Sequence, residues 1–420
     1  MKCIANFDLI CFFRPKKLHT KSTMHLNKLL HKTFSNTVGV IDKRNHCTLM
    51  KAAATLCQHT FISIAALGRK LKSNAKVKHN IKRIDRLFGN PRVQFARYHY
   101  YQEITHRVIG QIRRPCVTID WSGLTPCGEF HLLRAAVPVK GRAMTIYEQS
   151  FRECEYMKQS VHKDFIKTLK SILPSDCKPI IVTDAGFRNP WFKLVLKFGW
   201  DFVGRVRHQT QYQKPEDDTS WLPVKTLYSK ATAKPVYLFE TQLAKANSLS
   251  GHFYLFKSKP KQRKKKNLRG KTIRCSVSLK HAKGATEPWL LFTSLCNINY
   301  SAQDMVKIYS QRMQIEESFR DLKNTSNGLN LRHCRSYEKG RLNVALLIAL
   351  IANFILWLAG LTAKILNVHR SFQANTIKNR NVLSSFSLGT QYFEKFGYKI
   401  KLKTFLEALK QLNKDCRECL

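Results

Sequence analysis

Apolar residues recur at three- and four-residue spacing from Leu26 to about Tyr101, with basic residues between them, and predict a helical N-terminal region over 24–105. Its densest part, ISIAALGRKLKSNAKVKHNIKRIDRLFGN, reads as a short helix, a turn near Ser73 and Asn74, and a second helix closed at Gly89. The pattern then changes period. CVTIDWSG, HLLRAAVPVKG and RAMTIYEQSF are successive β-branched or apolar runs separated by glycine-containing turns. A helix over 158–173, the run KPIIVTDAGF, a helix over 190–198 and the run WDFVGRVR follow. Three meandering strands and then helix, strand, helix, strand predict a mixed α/β layer fold, the element order of ribonuclease H-like sheets.

Between residues 208 and 297 the sequence is rich in turns, with separate β runs KPVYLFETQL, GHFYLFKS and EPWLLFTS, and reads as a β-strand insertion. A helix over 302–323 returns the chain to the core, which is expected to comprise 112–207 and 298–335. The region 336–420 is read as helical, for DNA contact or dimerisation. It opens on VALLIALIANFILWLAGLTA, Val344 to Ala363, which has no charge and is long enough to cross a bilayer. Its solitary occurrence, Asn353 at its middle and its five alanines and one glycine favour a buried core helix instead. The pattern turns helical at Met24, so Met24 is read as the native start and 1–23 as an extension.

Charge narrows the function. Lys and Arg total 73 against 27 Asp and Glu, a net +46 spread along the whole chain, which points to a polyanion partner: nucleic acid first, an anionic membrane surface second. The second helix of the 61–90 segment carries Lys78, Lys82, Arg83 and Arg86, and the pair resembles a helix-turn-helix whose second helix enters a DNA groove. The loop KSKPKQRKKKNLRGK, Lys257 to Lys271, is read as a phosphate-contacting arm. Thirteen cysteines without zinc-site spacing point to reduced thiols and a cytoplasmic protein.

A protein that only binds DNA has no need of buried acids, yet two strands end in one: Asp120 after CVTI and Asp184 after IIVT. Each alone would be read as a turn cap. On neighbouring strands they would face the crevice where open α/β sheets take ligands, and together they repel unless a cation lies between them. A third acid is offered by the helix YSQRMQIEESFRDLK. At about 100° per residue, Ile308, Ile315, Phe319 and Leu322 form its core-facing stripe. Tyr309, Arg312, Glu316, Arg320 and Lys323 share the adjacent strip, and Glu317 is expected to point to water. Asp120, Asp184 and Glu316 could then hold two Mg²⁺ ions roughly 4 Å apart for in-line phosphoryl transfer, with Tyr309, Arg312 and Lys323 positioning phosphates.

The spacing Tyr309, Arg312, Glu316, Lys323 resembles the YREK signature of the insertion-sequence-four family of bacterial DDE transposases, and VTIDWS and IVTDAGF look like its two aspartate motifs. The resemblance extends from about Leu49 through KHNIKRIDRL, EPWLLFTS and FQANTIKNRNVLS, and is closest to the insertion-sequence-ten type. It implies a ribonuclease H-like catalytic core with a β insertion, preceded by a helical DNA-end-binding domain. It also implies cut-and-paste transposition: nicking at terminal inverted repeats, hairpin formation and opening, and strand transfer into target DNA. Mg²⁺, replaceable by Mn²⁺, would be held by Asp120, Asp184 and Glu316, with Tyr309, Arg312 and Lys323 on DNA. Trp289 stands where the family carries a base-stacking tryptophan. The implied partners are double-stranded DNA, a second copy in a synaptic homodimer and host DNA-bending proteins, without a membrane, in a nucleoid-associated cytoplasmic protein. Two alternatives remain: a DNA-binding regulator of transposition that has lost catalysis, and a membrane-surface protein anchored by Val344 to Ala363.

Overall fold

The structure is a computed structural model that describes residues 23–418, apart from 59–60, 126, 208, 216, 259–271, 273–274, 277–285, 325–327 and 378. All of the expected extension but Thr23, and most of the basic arm at 257–271, therefore lie outside the described residues. The chain opens with a short strand β1 (Thr23–His25) and helices α1 (Leu26–Thr33), α2 (Lys43–Leu56), α3 (Ile64–Lys70), α4 (Val77–Gly89) and α5 (Pro91–Ile109). Asp42, Ser63 and Asn90 start α2, α3 and α5 by accepting hydrogen bonds from backbone N–H groups of the first turn. α3 and α4 correspond to the expected helix pair. They meet at Gly68, where a Cβ would stand 2.5 Å from Ile81 Cα, so only glycine permits that approach.

The core sheet contains β2 (Cys116–Gly123), β3 (Phe130–Val139), β4 (Arg142–Arg152), β5 (Ile180–Thr183) and β6 (Asp201–Val206), with α6 (Gln159–Ile172) and α7 (Asn189–Lys197) between its later strands. β4, β3 and β2 run antiparallel as a meander, and β5 and β6 join β2 in parallel. This mixed sheet flanked by helices is compatible with a ribonuclease H-like core. The insertion strands β7 (Gln211–Lys214), β8 (Asp217–Pro223), β9 (Val236–Leu243), β10 (Leu249–Phe256) and β11 (Trp289–Thr293) do not form a separate sheet. β11 pairs antiparallel with β6, so the ladder continues into one sheet of ten strands.

The expected single helix over 302–323 is two helices, Ala302–Ser310 and Met313–Lys323. Between them Arg312, Gln314 and Ile315 each donate a backbone hydrogen bond to the residue three before, a tighter winding than the α-helix, which breaks the axis at Gln311 and Arg312. Ile308, Ile315, Phe319 and Leu322 are nevertheless all buried, as their spacing predicts.

The apolar helix spans Lys339–Ile365 and packs against β4, α2, α5 and the C-terminal helices Ser385–Phe396 and Leu402–Arg417. Its most apolar window is 94% buried, so this chain itself covers the surface that a bilayer would otherwise cover. Asn343 ties it to the sheet by accepting from the N–H and hydroxyl of Ser150, both at 2.9 Å.

Candidate active site

The register of β2 and β5 brings the two aspartates together. Cys116 lies beside Ile180, Val117 beside Ile181 and Thr118 beside Val182. Two residues further along that constant offset stand Asp120 and Asp184. β2 runs on to Gly123, so Asp120 lies within the strand, while Asp184 falls just past the end of β5. Asp120 Oδ1 accepts from the Trp121 N–H at 2.8 Å, and Asp184 Oδ1 accepts from the Gly186 N–H at 2.9 Å, which orients each carboxylate.

The same face of the sheet carries the row Asp120, Arg134, Glu148 across β2, β3 and β4, and the helix Met313–Lys323 lies over it. Arg134 pairs with Glu148 in full burial, donates to Ser318 Oγ at 3.0 Å and stacks over the Phe319 ring at 4.7 Å. Gln314 Oε1 accepts from the Val139 N–H at 3.0 Å, and Arg142 grips Asp321 at 2.9 Å. The helix bearing the glutamates is thus anchored at four points to β3 and β4, with Glu316 toward the aspartates.

Arg312 links the acids. Its Nη1 lies 3.1 Å from Asp120 Oδ2 and its Nη2 lies 2.9 Å from Glu316 Oε1. Burial first, and then the negative charge of Asp184, push the Asp120 carboxyl up to about 7, with Arg312 and the Trp121 N–H acting in the opposite direction. Arg312 in turn is driven above the usual guanidinium range by Tyr309, Asp120, Glu316 and Asp184, against the effect of its burial. Lys323 donates to Ser122 Oγ at 2.5 Å, two residues along β2 from Asp120. Asp120, Asp184, Glu316, Arg312 and Lys323 therefore share one site.

Other expected site residues stand differently. Tyr309 is only 4% exposed and meets the Trp289 ring edge to face at 5.0 Å, and Trp289 also abuts Phe256. Arg320 lies on the solvent side, paired with Glu317 at 2.7 Å. On α4, Lys78, Lys82 and Arg86 are exposed and Arg83 is half-buried. Glu317 does not simply point to water: its side chain is 28% exposed against 45% for Glu316, and it pairs with Arg142 as well as Arg320. The partner on β4 could not be seen from helix phase alone.

Sequence reasoning also missed an aromatic flank. Trp121, Phe151, Tyr156 and His162 cluster on the far side of Asp120, although Trp121 stands in the quoted motif itself. Next to Asp184 an open cleft of about 940 Å³ is lined by Phe187, Arg188, Arg207 and Lys245, among others.

The donor set is all carboxylate oxygen, which suits a hard cation such as Mg²⁺ and not a softer metal. The guanidinium of Arg312 lies between Asp120 and Glu316 and balances their charge. Among the described residues no three Asp, Glu, His or Cys side chains close around a single point as they stand, because Glu316 is held by Arg312. A comparison with curated proteins returns no match. A family profile described as the transposase DDE domain matches residues 131–354, more than half of the 420-residue chain. The matched span includes Asp184, Arg312, Glu316 and Lys323 and begins after Asp120, whose place in the site rests on strand register. The chain belongs to the transposase DDE domain family.

Proposed function

We propose that this transposase cuts and pastes its own insertion sequence, with Asp120, Asp184 and Glu316 as the catalytic acids and members of the insertion-sequence-four family as its relatives. The observation that carries the reading is that the β2–β5 register sets Asp120 beside Asp184 while Arg312 bridges Asp120 to Glu316 on the helix Met313–Lys323. Two aspartates on neighbouring interior strands and a glutamate on a crossing helix suit phosphoryl transfer.

Asp120, Asp184 and Glu316 would hold Mg²⁺. The metal, when bound, supplies Lewis acidity that stabilises charge on the attacking and leaving oxygens. The remaining work belongs to the chain. Lys323, fixed beside Ser122, and Arg312 place phosphate oxygens over the acids by charge-assisted hydrogen bonds. The Tyr309 phenol interacts with Arg312 and helps to hold it, and Trp289 stacks a base. In the nicking step a water oxygen attacks phosphorus, the phosphorus–O3′ bond breaks, and the strand is left with a 3′-hydroxyl. That hydroxyl attacks the opposite strand to form a hairpin, which a second water opens, and the freed 3′-end then joins target DNA.

Lys78, Lys82, Arg83 and Arg86 on α4 bind the terminal inverted repeats, and two copies synapse the two ends. Incubating the protein with Mg²⁺ and linear DNA bearing the element's ends tests this sequence of steps. Denaturing gels are expected to show a nick at each end followed by a hairpin. Double-strand cuts without a hairpin would contradict the cut-and-paste route.

A further inference from the structure

Trp121 follows Asp120 directly and is locked in place. Its indole Nε1 donates to His162 Nε2 at 3.2 Å, and burial, which lowers the His162 pKa to about 4, keeps that imidazole neutral and able to accept. Edge-on to Trp121, at 5.1 Å between centroids and 74°, stands Tyr156. One face of Tyr156 is stacked by His131, at 4.4 Å and 30°, and His131 is itself paired with Glu153. Two rigid neighbours thus hold the phenol ring, yet Tyr156 remains 41% exposed. Of the aromatic residues on this flank, Trp121 and Phe151 are largely covered. The ring also stands close enough to Asp184 and Asp120 for both charges to act on its phenol.

A large aromatic side chain left open to solvent, pre-ordered by an imidazole and an indole, beside acids that act on DNA, is built to receive another flat ring. Base–aromatic stacking needs only a free π-face and tolerates any base. We propose that Tyr156, backed by His131 and Trp121, is a stacking platform for an unpaired nucleobase of the DNA end held at Asp120 and Asp184. The platform lies on the flank opposite Trp289, which packs against Tyr309, and serves a different nucleotide. The inference rests on the reading of this site as the one that cuts DNA ends.

The test uses the full chain, in EDTA so that no strand is cut, and a duplex of the element's terminal repeat with a few unpaired nucleotides at its end. 2-Aminopurine is placed at each unpaired position in turn. The wild-type protein is expected to quench its fluorescence at one position, and Tyr156→Phe and Tyr156→Trp to retain that quenching. Tyr156→Leu, which keeps an apolar contact with Trp121, is expected to lose it and to bind the unpaired end roughly tenfold or more weakly. Binding of the fully paired duplex should be unchanged in that variant.

Equal quenching by wild type and Tyr156→Leu overturns the platform. So does loss of quenching in Tyr156→Phe, which would assign the contact to the phenol hydroxyl and a phosphate. If the wild type binds neither duplex, the DNA-cutting reading and the platform fall together. If it binds and cuts DNA but Tyr156→Leu behaves as wild type, the platform alone falls.

Discussion

Arg134 and Glu148 form a buried ion pair beneath the helix Met313–Lys323, and their energetics follow from burial. Glu148 is pushed up by burial and held down by Arg134, so removing the arginine leaves a carboxyl without its counter-charge in the core. Arg134→Met should cost about 3–5 kcal/mol in urea denaturation, and the double change with Glu148→Leu should recover much of that loss. His162 gives the pH dependence its sign. Its folded-state pKa, lowered from 6.5 to about 4 by burial, lies below the unfolded value, so the unfolded chain binds a proton that the folded chain refuses. The stability present above about pH 6.5 is therefore lost as pH falls toward about 4. His162→Gln, which can still accept from Trp121, should flatten the dependence of the urea midpoint on pH across that window. At this scale the sequence was informative about the aspartates, because β-branched runs lead into both. It was less informative about Glu317, whose partner Arg142 lies on a strand far away in the chain.

Among the elements, the helix pair α3 and α4 was legible almost to the residue, since its apolar spacing and its turn are local signals. Gly68→Ala would drive a methyl into the backbone of Ile81, and should lower stability by about 1–3 kcal/mol in thermal or urea unfolding. The break at Gln311 and Arg312 was not legible, because the apolar stripe runs through it undisturbed. The break matters, for it separates the buried Tyr309 from the helix that presents Glu316. The helix Ser385–Phe396 was legible only as part of a region read as helical, without its bounds. One glycine on each helix lets it lie against the apolar helix: a Cβ on Gly389 would stand 1.7 Å from Leu356 O, and one on Gly360 1.8 Å from Ser385 O. Close packing of two glycines against backbone leaves no periodic hydrophobic signal. The joining of β11 to β6 was equally hidden, because strand pairing across some 80 residues is a property of the folded sheet.

For the whole molecule, the net charge of +46 sets the behaviour toward DNA before any specific contact forms. Affinity for the terminal repeat should fall steeply with salt. Lys78→Gln and Lys82→Gln should each flatten the slope of log affinity against log salt by roughly 0.9 if each side chain contacts a phosphate, as titrations at several ionic strengths would reveal. The central claim is narrower than charge. It holds that Glu316, and not its neighbour, completes a site with Asp120 and Asp184. The direct measurement is the rate of Mg²⁺-dependent cleavage of DNA carrying the terminal repeats by the wild type, Glu316→Gln and Glu317→Gln, alongside binding of the same DNA. Glu316→Gln is predicted to bind as the wild type does while cleavage falls by about a thousandfold or more, a loss on the order of 4 kcal/mol of transition-state stabilisation. Glu317→Gln is predicted to cut within about a fewfold of the wild-type rate, because it loses only partly exposed ion pairs. Equal cleavage by the two variants, or a larger loss in Glu317→Gln, would contradict the account.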